Sequence, residues 1–420
     1  MASLYSLCLS KQQLFGILLI ITFFSSSSAK RCYKSIISFG DSLADTGNWV
    51  ILSQQNKPTP AFPPFGGTYF HRPTGRCCDG RLIVDFFGTA SLKLQSTQKL
   101  GLPLVPPYFR DANCSNCRKF QKGVNFAVVG ATALDNAYLA RKGIINELTN
   151  VSLGVQLGLL KTLLPSLCSS SSGKYLQMLL FLPNNQKCTI VFNYMEQTGQ
   201  EFINSCNEFL NNSLILMGEI GGNEFNLAFV QGISSEVIGG LVPEVIKAIS
   251  AAIEELIELG AMTFVVPGTI PLGCLPVLLT RFRTSNKQAY DRYGCLIWLN
   301  DFAHYYNEYL KKELESMRRL HPRINIIYAD YYQASMPLYL SPRSFGFKST
   351  LTACCGGEGP YNVNVTLSCG DPGTKSCDDP SSYVNWDGAH FTDEAHRVIS
   401  NGLLDGSCTI PRFEFPSCAS

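Results

Sequence analysis

Apolar residues in this chain gather in short blocks that end on glycine, proline or aspartate. Residues 35–39 (SIISF) run into Gly40-Asp41-Ser42, 125–129 (NFAVV) into Gly130, and 214–217 (LILM) into Gly218. Residues 263–266 (TFVV) run into Pro267-Gly268, and 324–328 (INIIY) toward Asp330. Five near-continuous apolar runs predict strands covered on both faces, the pattern of a parallel sheet. Between them the period changes. Val242, Val245, Ile246, Ile249, Ala252, Ile253, Leu256 and Ile257 recur every three or four residues, while Glu254, Glu255 and Glu258 fall off that stripe. This predicts a helix with one buried face, ended by Gly260. A second long helix is predicted across 289–319. A short one is predicted to start at Thr392, whose hydroxyl can cap the amides of residues 393–395. Strands alternating with helices, without repeat or linker, predict one α/β domain of three layers around a central, mainly parallel, five-stranded sheet.

Composition narrows the class. A chain that is 45% hydrophobic and 16% charged has a large core and is not disordered. A net charge of +2 without a long basic run argues against a nucleic-acid partner. Lys11, the apolar stretch 14–24, four serines at 25–28 and Ala29 describe a secretory signal over residues 1–29. The apolar run is short for a bilayer and no later run is longer, so no stable membrane insertion is expected. Seventeen cysteines fit an oxidising compartment. So do four glycosylation sequons, at Asn113, Asn150, Asn211 and Asn364. Extracellular or apoplastic delivery is expected, with the vacuole as an alternative.

Cysteine spacing argues against metal chemistry. Cys114 and Cys117 form a CxxC, but no second CxxC or HxxxH follows at zinc spacing, so a structural disulfide is expected there. Cys77-Cys78 and Cys354-Cys355 are adjacent pairs. A ring between neighbours is strained, so each member is expected to bond elsewhere or stay free. Residues 174–199 interrupt the pattern with an apolar stretch of no clear period. Three readings stand: a lid over a lipid site, a surface insertion, or translation of an unspliced intron, since splice-like strings can encode both its ends.

Two short strings carry chemistry. Ser42 follows a predicted buried strand, and parallel sheets present functional residues at the carboxyl ends of strands. Alone it is equally a turn serine capping a helix. A serine hydroxyl needs a base, and Asp387-Gly388-Ala389-His390 supplies an imidazole with a carboxylate three residues away to fix its tautomer. The other histidines, His71, His304, His321 and His396, occupy blander positions: a loop without an acidic neighbour, two predicted helices, and a site before proline.

With these strings in view, residues 39–48 (FGDSLADTGN) resemble the first block of the plant GDSL esterase/lipase family, in the SGNH hydrolase superfamily. Residues 122–134, 217–226 and 383–390 resemble its second, third and fifth blocks, in order, and 75–86 and 353–361 also read as family segments. The resemblance runs from about residue 32 to about 404. It implies a flavodoxin-like α/β/α fold and a serine ester hydrolase without metal or cofactor. It implies Ser42 as nucleophile, His390 as base and Asp387 as its partner. The oxyanion donors implied are the amides of Ser42 and Gly130 and the side chain of Asn223. In local style the chain resembles members acting on specialised-metabolite esters, such as acetylajmalan and sinapine esterases. One departure stands out: the third block usually ends Gly-Gly-Asn-Asp, and Glu224 takes the place of its last aspartate. A small-molecule ester is therefore the expected substrate. Acyl transfer through the same acyl-enzyme is an alternative, and a silent, glycosylated wall or binding protein is another. An α/β-hydrolase is disfavoured, because Ala44 stands where the elbow requires glycine.

Overall fold

The computed structural model describes residues 33–89, 102–111, 117–168, 205–364 and 366–414. The signal segment 1–29, Asn113 and Cys114, and residues 174–199 lie outside the described residues.

Five parallel strands build the centre: β1 (Ser35–Ser38), β2 (Gly123–Asn125), β3 (Ser213–Leu216), β4 (Thr263–Pro267) and β5 (Asn325–Ala329). Away from the sheet, β6 (Ser349–Ala353), β7 (Cys355–Gly356), β8 (Lys375–Ser376) and β9 (Tyr383–Asn385) form two small ribbons, β6 with β9 and β7 with β8. A sixth central strand, β10 (Thr409–Ile410), adds antiparallel to β5. The expected five-stranded sheet is therefore six-stranded, because a two-residue edge strand carries no periodic signal. The order is β10-β5-β4-β3-β1-β2. The chain thus reverses direction across the sheet at β1, and ligands of open α/β sheets bind at the carboxyl ends beside such a switch point.

Register brings the loops together. Ser38 at the end of β1 lies opposite Asn125 on one side and Leu216 on the other. The expected strand at 125–129 is displaced: β2 stops at Asn125, although Phe126 and Val128 still donate to the carbonyls of Ser38 and Gly40. The chain peels away because the Asn125 side chain takes the Ala127 N–H and donates to the Ala44 carbonyl.

The helix Ser235–Glu258 buries the expected stripe and packs with the helices Leu153–Leu167 and Ile297–Leu320. The helices Ile83–Thr89, Tyr331–Leu340 and Asp393–Leu404 form the second outer layer, giving three layers α/β/α. The helix expected from residue 289 begins at Ile297, because Lys287–Ala289 is a single 3₁₀ turn and the Cys274–Cys295 disulfide and Gly294 hold the next segment out of helix. Thr392 caps its helix as expected, accepting the Ala395 N–H. Cys354 pairs with Cys377 and Cys355 with Cys369, so neither bonds its neighbour, while Cys77 and Cys78 are free and buried. No helix among the described residues is long and apolar enough to cross a membrane.

Candidate active site

The turn after β1 is shaped by glycine. Gly40 has φ +133° and packs on Gly218, where a methyl group would sit 1.9 Å from the Phe39 carbonyl. The loops after β1 and β3 can therefore touch only because neither residue has a side chain. Gln156, fully buried on the helix Leu153–Leu167, grips Gly40 from both sides: its Oε1 accepts the Gly40 N–H at 2.9 Å and its Nε2 donates to the Gly40 carbonyl at 2.8 Å. Asp45 accepts the N–H groups of Gly47, Asn48, Trp49 and Val129. Asn48 donates to the carbonyls of Asn125 and Ala127. The polar residues after Ser42 thus wire the first loop to the second.

Gly130 ends that second loop at φ +77°, with Leu148 lying 2.7 Å from where a Cβ would be. Among the described residues no protein acceptor takes the N–H of Ser42 or of Gly130. Asn223 opens the helix Asn223–Val230 after β3. Its Nδ2 donates to Asp41 Oδ2 and to the Ala131 carbonyl, both at 2.9 Å.

The acid–histidine string folds as one tight loop after β9. Asp387 Oδ1 accepts the N–H groups of Ala389 and His390, and Oδ2 lies 2.8 Å from His390 Nδ1. Trp386 donates its backbone N–H to the His390 carbonyl, closing the loop. Two family segments brace it. Arg81 forks onto Asp393, the first residue of the following helix. Cys354 and Cys355, each tied by a disulfide, donate their backbone N–H groups to the carbonyls of Asn385 and Trp386.

Ser42, Gly130, Asn223 and His390 line one cavity of about 280 Å³, with Asp387 behind the imidazole. All five residues expected from sequence are brought together. Ser42 and His390 make no direct hydrogen bond to each other among the described residues, and catalytic hydrogen bonds often close only around substrate. Leu148, Leu227, Ile270, Leu275, Val277 and Leu278 form much of the remaining wall, which is apolar.

A family model for GDSL-like lipases and acylhydrolases matches residues 36–403. The chain belongs to this GDSL family. A GDSL esterase/lipase of Arabidopsis thaliana is 47% identical over 94% of this chain and 90% of its own length. Sinapine esterase of Brassica napus is 46% identical over 100% of this chain and 96% of its own. This GDSL protein is thus a carboxylic ester hydrolase.

Its electrostatics are those of buried acids. Burial would raise Asp387, but the adjacent His390 and the amides of Ala389 and His390 outweigh it and hold the carboxyl below its ordinary value. Burial pushes Asp41 well above the usual range, and neighbouring Glu219 adds to the rise. Glu219 is raised as well, chiefly by burial. Burial lifts Asp45 to about 6 and Glu224 to about 7, against the N–H groups that each accepts. Glu224, the departure from the family pattern, still holds the second loop: its Oε1 accepts the Leu134 N–H at 3.0 Å.

Sequence reasoning missed Gln156, Asp45 and Glu219 in this GDSL site. Gln156 left one signal, a polar residue on the buried stripe of an apolar helix. Glu219 left none, since an acid in a glycine-rich stretch reads as a solvated turn. Of the sequon asparagines, Asn150 is exposed and Asn211 and Asn364 are half-buried.

Proposed function

We propose that this enzyme hydrolyses carboxylic esters through an acyl-enzyme on Ser42, within a single hydrolase domain over residues 30–420. The observation that carries the reading is the His390 ring: Asp387 occupies Nδ1, which leaves Nε2 to serve Ser42 in the shared cavity. His390 takes the Ser42 proton as the oxygen attacks the ester carbonyl. The tetrahedral oxyanion is met by the amides of Ser42 and Gly130 and by Asn223. Alcohol leaves with the proton from His390, and water activated by the same ring then releases the acid. Each preorganised oxyanion donor contributes about 3–4 kcal/mol. Asp387, held anionic, stabilises the imidazolium formed on the way.

The cavity is small and apolar, which suits the acyl part of a compact ester better than a long lipid chain. Its resemblance to a sinapine esterase supports an ester of a specialised metabolite. The signal-like residues 1–29, the disulfides and the exposed Asn150 support a secreted glycoprotein. The decisive experiment is turnover of p-nitrophenyl acetate by the parent and by Ser42→Ala. A loss of at least about 10³-fold is expected for the variant. Equal rates would end the assignment.

A further inference from the structure

The loop after β3 brings a second acid against Ser42. Asp41, the residue before the serine, donates its backbone N–H to the Glu219 carbonyl at 2.9 Å. Both side chains are walls of the cavity that holds Ser42 and Asn223, and each shifts the ionisation of the other. Asp41 is 3% exposed and Glu219 7%. The titratable groups facing the pair are Glu224, His390, Cys77, Tyr306 and Tyr331. No lysine or arginine among the described residues forms an ion pair with either acid. Two neighbouring carboxyl groups withdrawn from water disfavour double ionisation, against the opposing pull of His390 on Glu219, so they hold one proton between them.

Asn223 supplies the second half of the argument. Its nitrogen spends both hydrogens in the free enzyme, one on Asp41 Oδ2 and one on the Ala131 carbonyl. To meet an oxyanion it must give one up. The Ala131 bond anchors it to the Gly130 loop, so the Asp41 bond is the one to exchange.

We propose that Glu219 is a positioning residue: the proton it shares with Asp41 keeps Asp41 a weak acceptor, so that one Asn223 N–H can turn to the oxyanion formed at Ser42. Without that proton Asp41 is a full carboxylate, and a bond to an ionised acceptor is roughly twice as strong as a neutral one. The extra negative charge also opposes the charge developing on the substrate. Both effects act on the transition state and leave substrate binding alone, so they appear in kcat and not in KM.

The test is kcat and KM against pH for the parent, Glu219→Gln and Glu219→Ala. In the parent, kcat falls by more than about tenfold on the alkaline side, since one oxyanion donor is worth about 10²–10³. Glutamine gives Asp41 a permanent N–H in place of the titrating proton, so the alkaline limb disappears in Glu219→Gln. Alanine removes the second acid but leaves Asp41 buried, so Asp41 titrates alone from a lower value and Glu219→Ala keeps the alkaline limb with its midpoint moved to lower pH and KM unmoved. Parallel profiles for parent and Glu219→Gln would overturn the proposal. Should the variants fail to fold, infrared titration of the parent decides: a protonated-carboxyl band must vanish with the midpoint of the kcat limb, and unmatched midpoints overturn it. The inference rests on Ser42 as nucleophile. An error there would leave Ser42→Ala active while the infrared band still reported the shared proton.

Discussion

Glu224 makes this protein's stability depend on pH in a way one substitution should remove. The side chain is fully buried, and its Oε2 has no partner among the described residues. Burial raises its carboxyl from 4.5 to about 7. The folded protein therefore binds a proton that the unfolded chain has already lost between those two values. The unfolded state holds fewer protons there, so stability falls as pH rises through the window. At about 1.4 kcal/mol per unit, the limiting cost of the shift is about 3 kcal/mol, most of which accumulates between pH 5 and pH 8. Glutamine keeps an oxygen for the Leu134 N–H and never ionises. Urea unfolding of the parent and of Glu224→Gln, with disulfides intact, isolates the effect. Asp45, raised to about 6, adds a similar slope to both proteins and cancels in the difference. Stability of Glu224→Gln relative to the parent should rise by about 2–3 kcal/mol from pH 5 to pH 8. The sign at pH 5 is set by whether the new amide N–H finds an acceptor; the change with pH is not. A difference that stays flat across the range would refute the buried, protonated state.

Two further outcomes follow from the geometry. Gly130→Ala places a methyl group against Leu148 at a φ of +77°, which costs about 1–2 kcal/mol in backbone strain alone and tilts the proposed oxyanion amide. Its kcat should fall at least about tenfold with little change in KM, and parent-like kinetics would remove Gly130 from the mechanism. Deleting residues 174–199 should leave the fold intact, because Cys168 and Cys206, joined by a disulfide with Cα atoms 4.7 Å apart, already close the chain on either side. Near-UV circular dichroism and esterase assay check this, and loss of both signals would show that the segment is needed.

The sequence alone determined the layers and the ester-hydrolase class. Runs such as 214–217 and 264–266 are apolar throughout because both faces of the sheet are covered, and the 235–258 stripe is legible because one face of that helix meets the core. Asp387 and His390 were readable as a pair because three residues of chain suffice to join them. Tertiary structure decided what depends on distant pairing. The edge strand at Thr409–Ile410 exists only because β5 offers it a backbone edge. The helix start at Ile297 is set by the disulfide that joins Cys295 to Cys274, 21 residues before it. Gln156 reaches Gly40 across 116 positions, and Glu219 meets Asp41 only once Gly40 and Gly218 touch. Periodicity records what a residue is buried against on average. It does not record which polar group lies opposite, and in this site those partners modulate acids that burial has already raised.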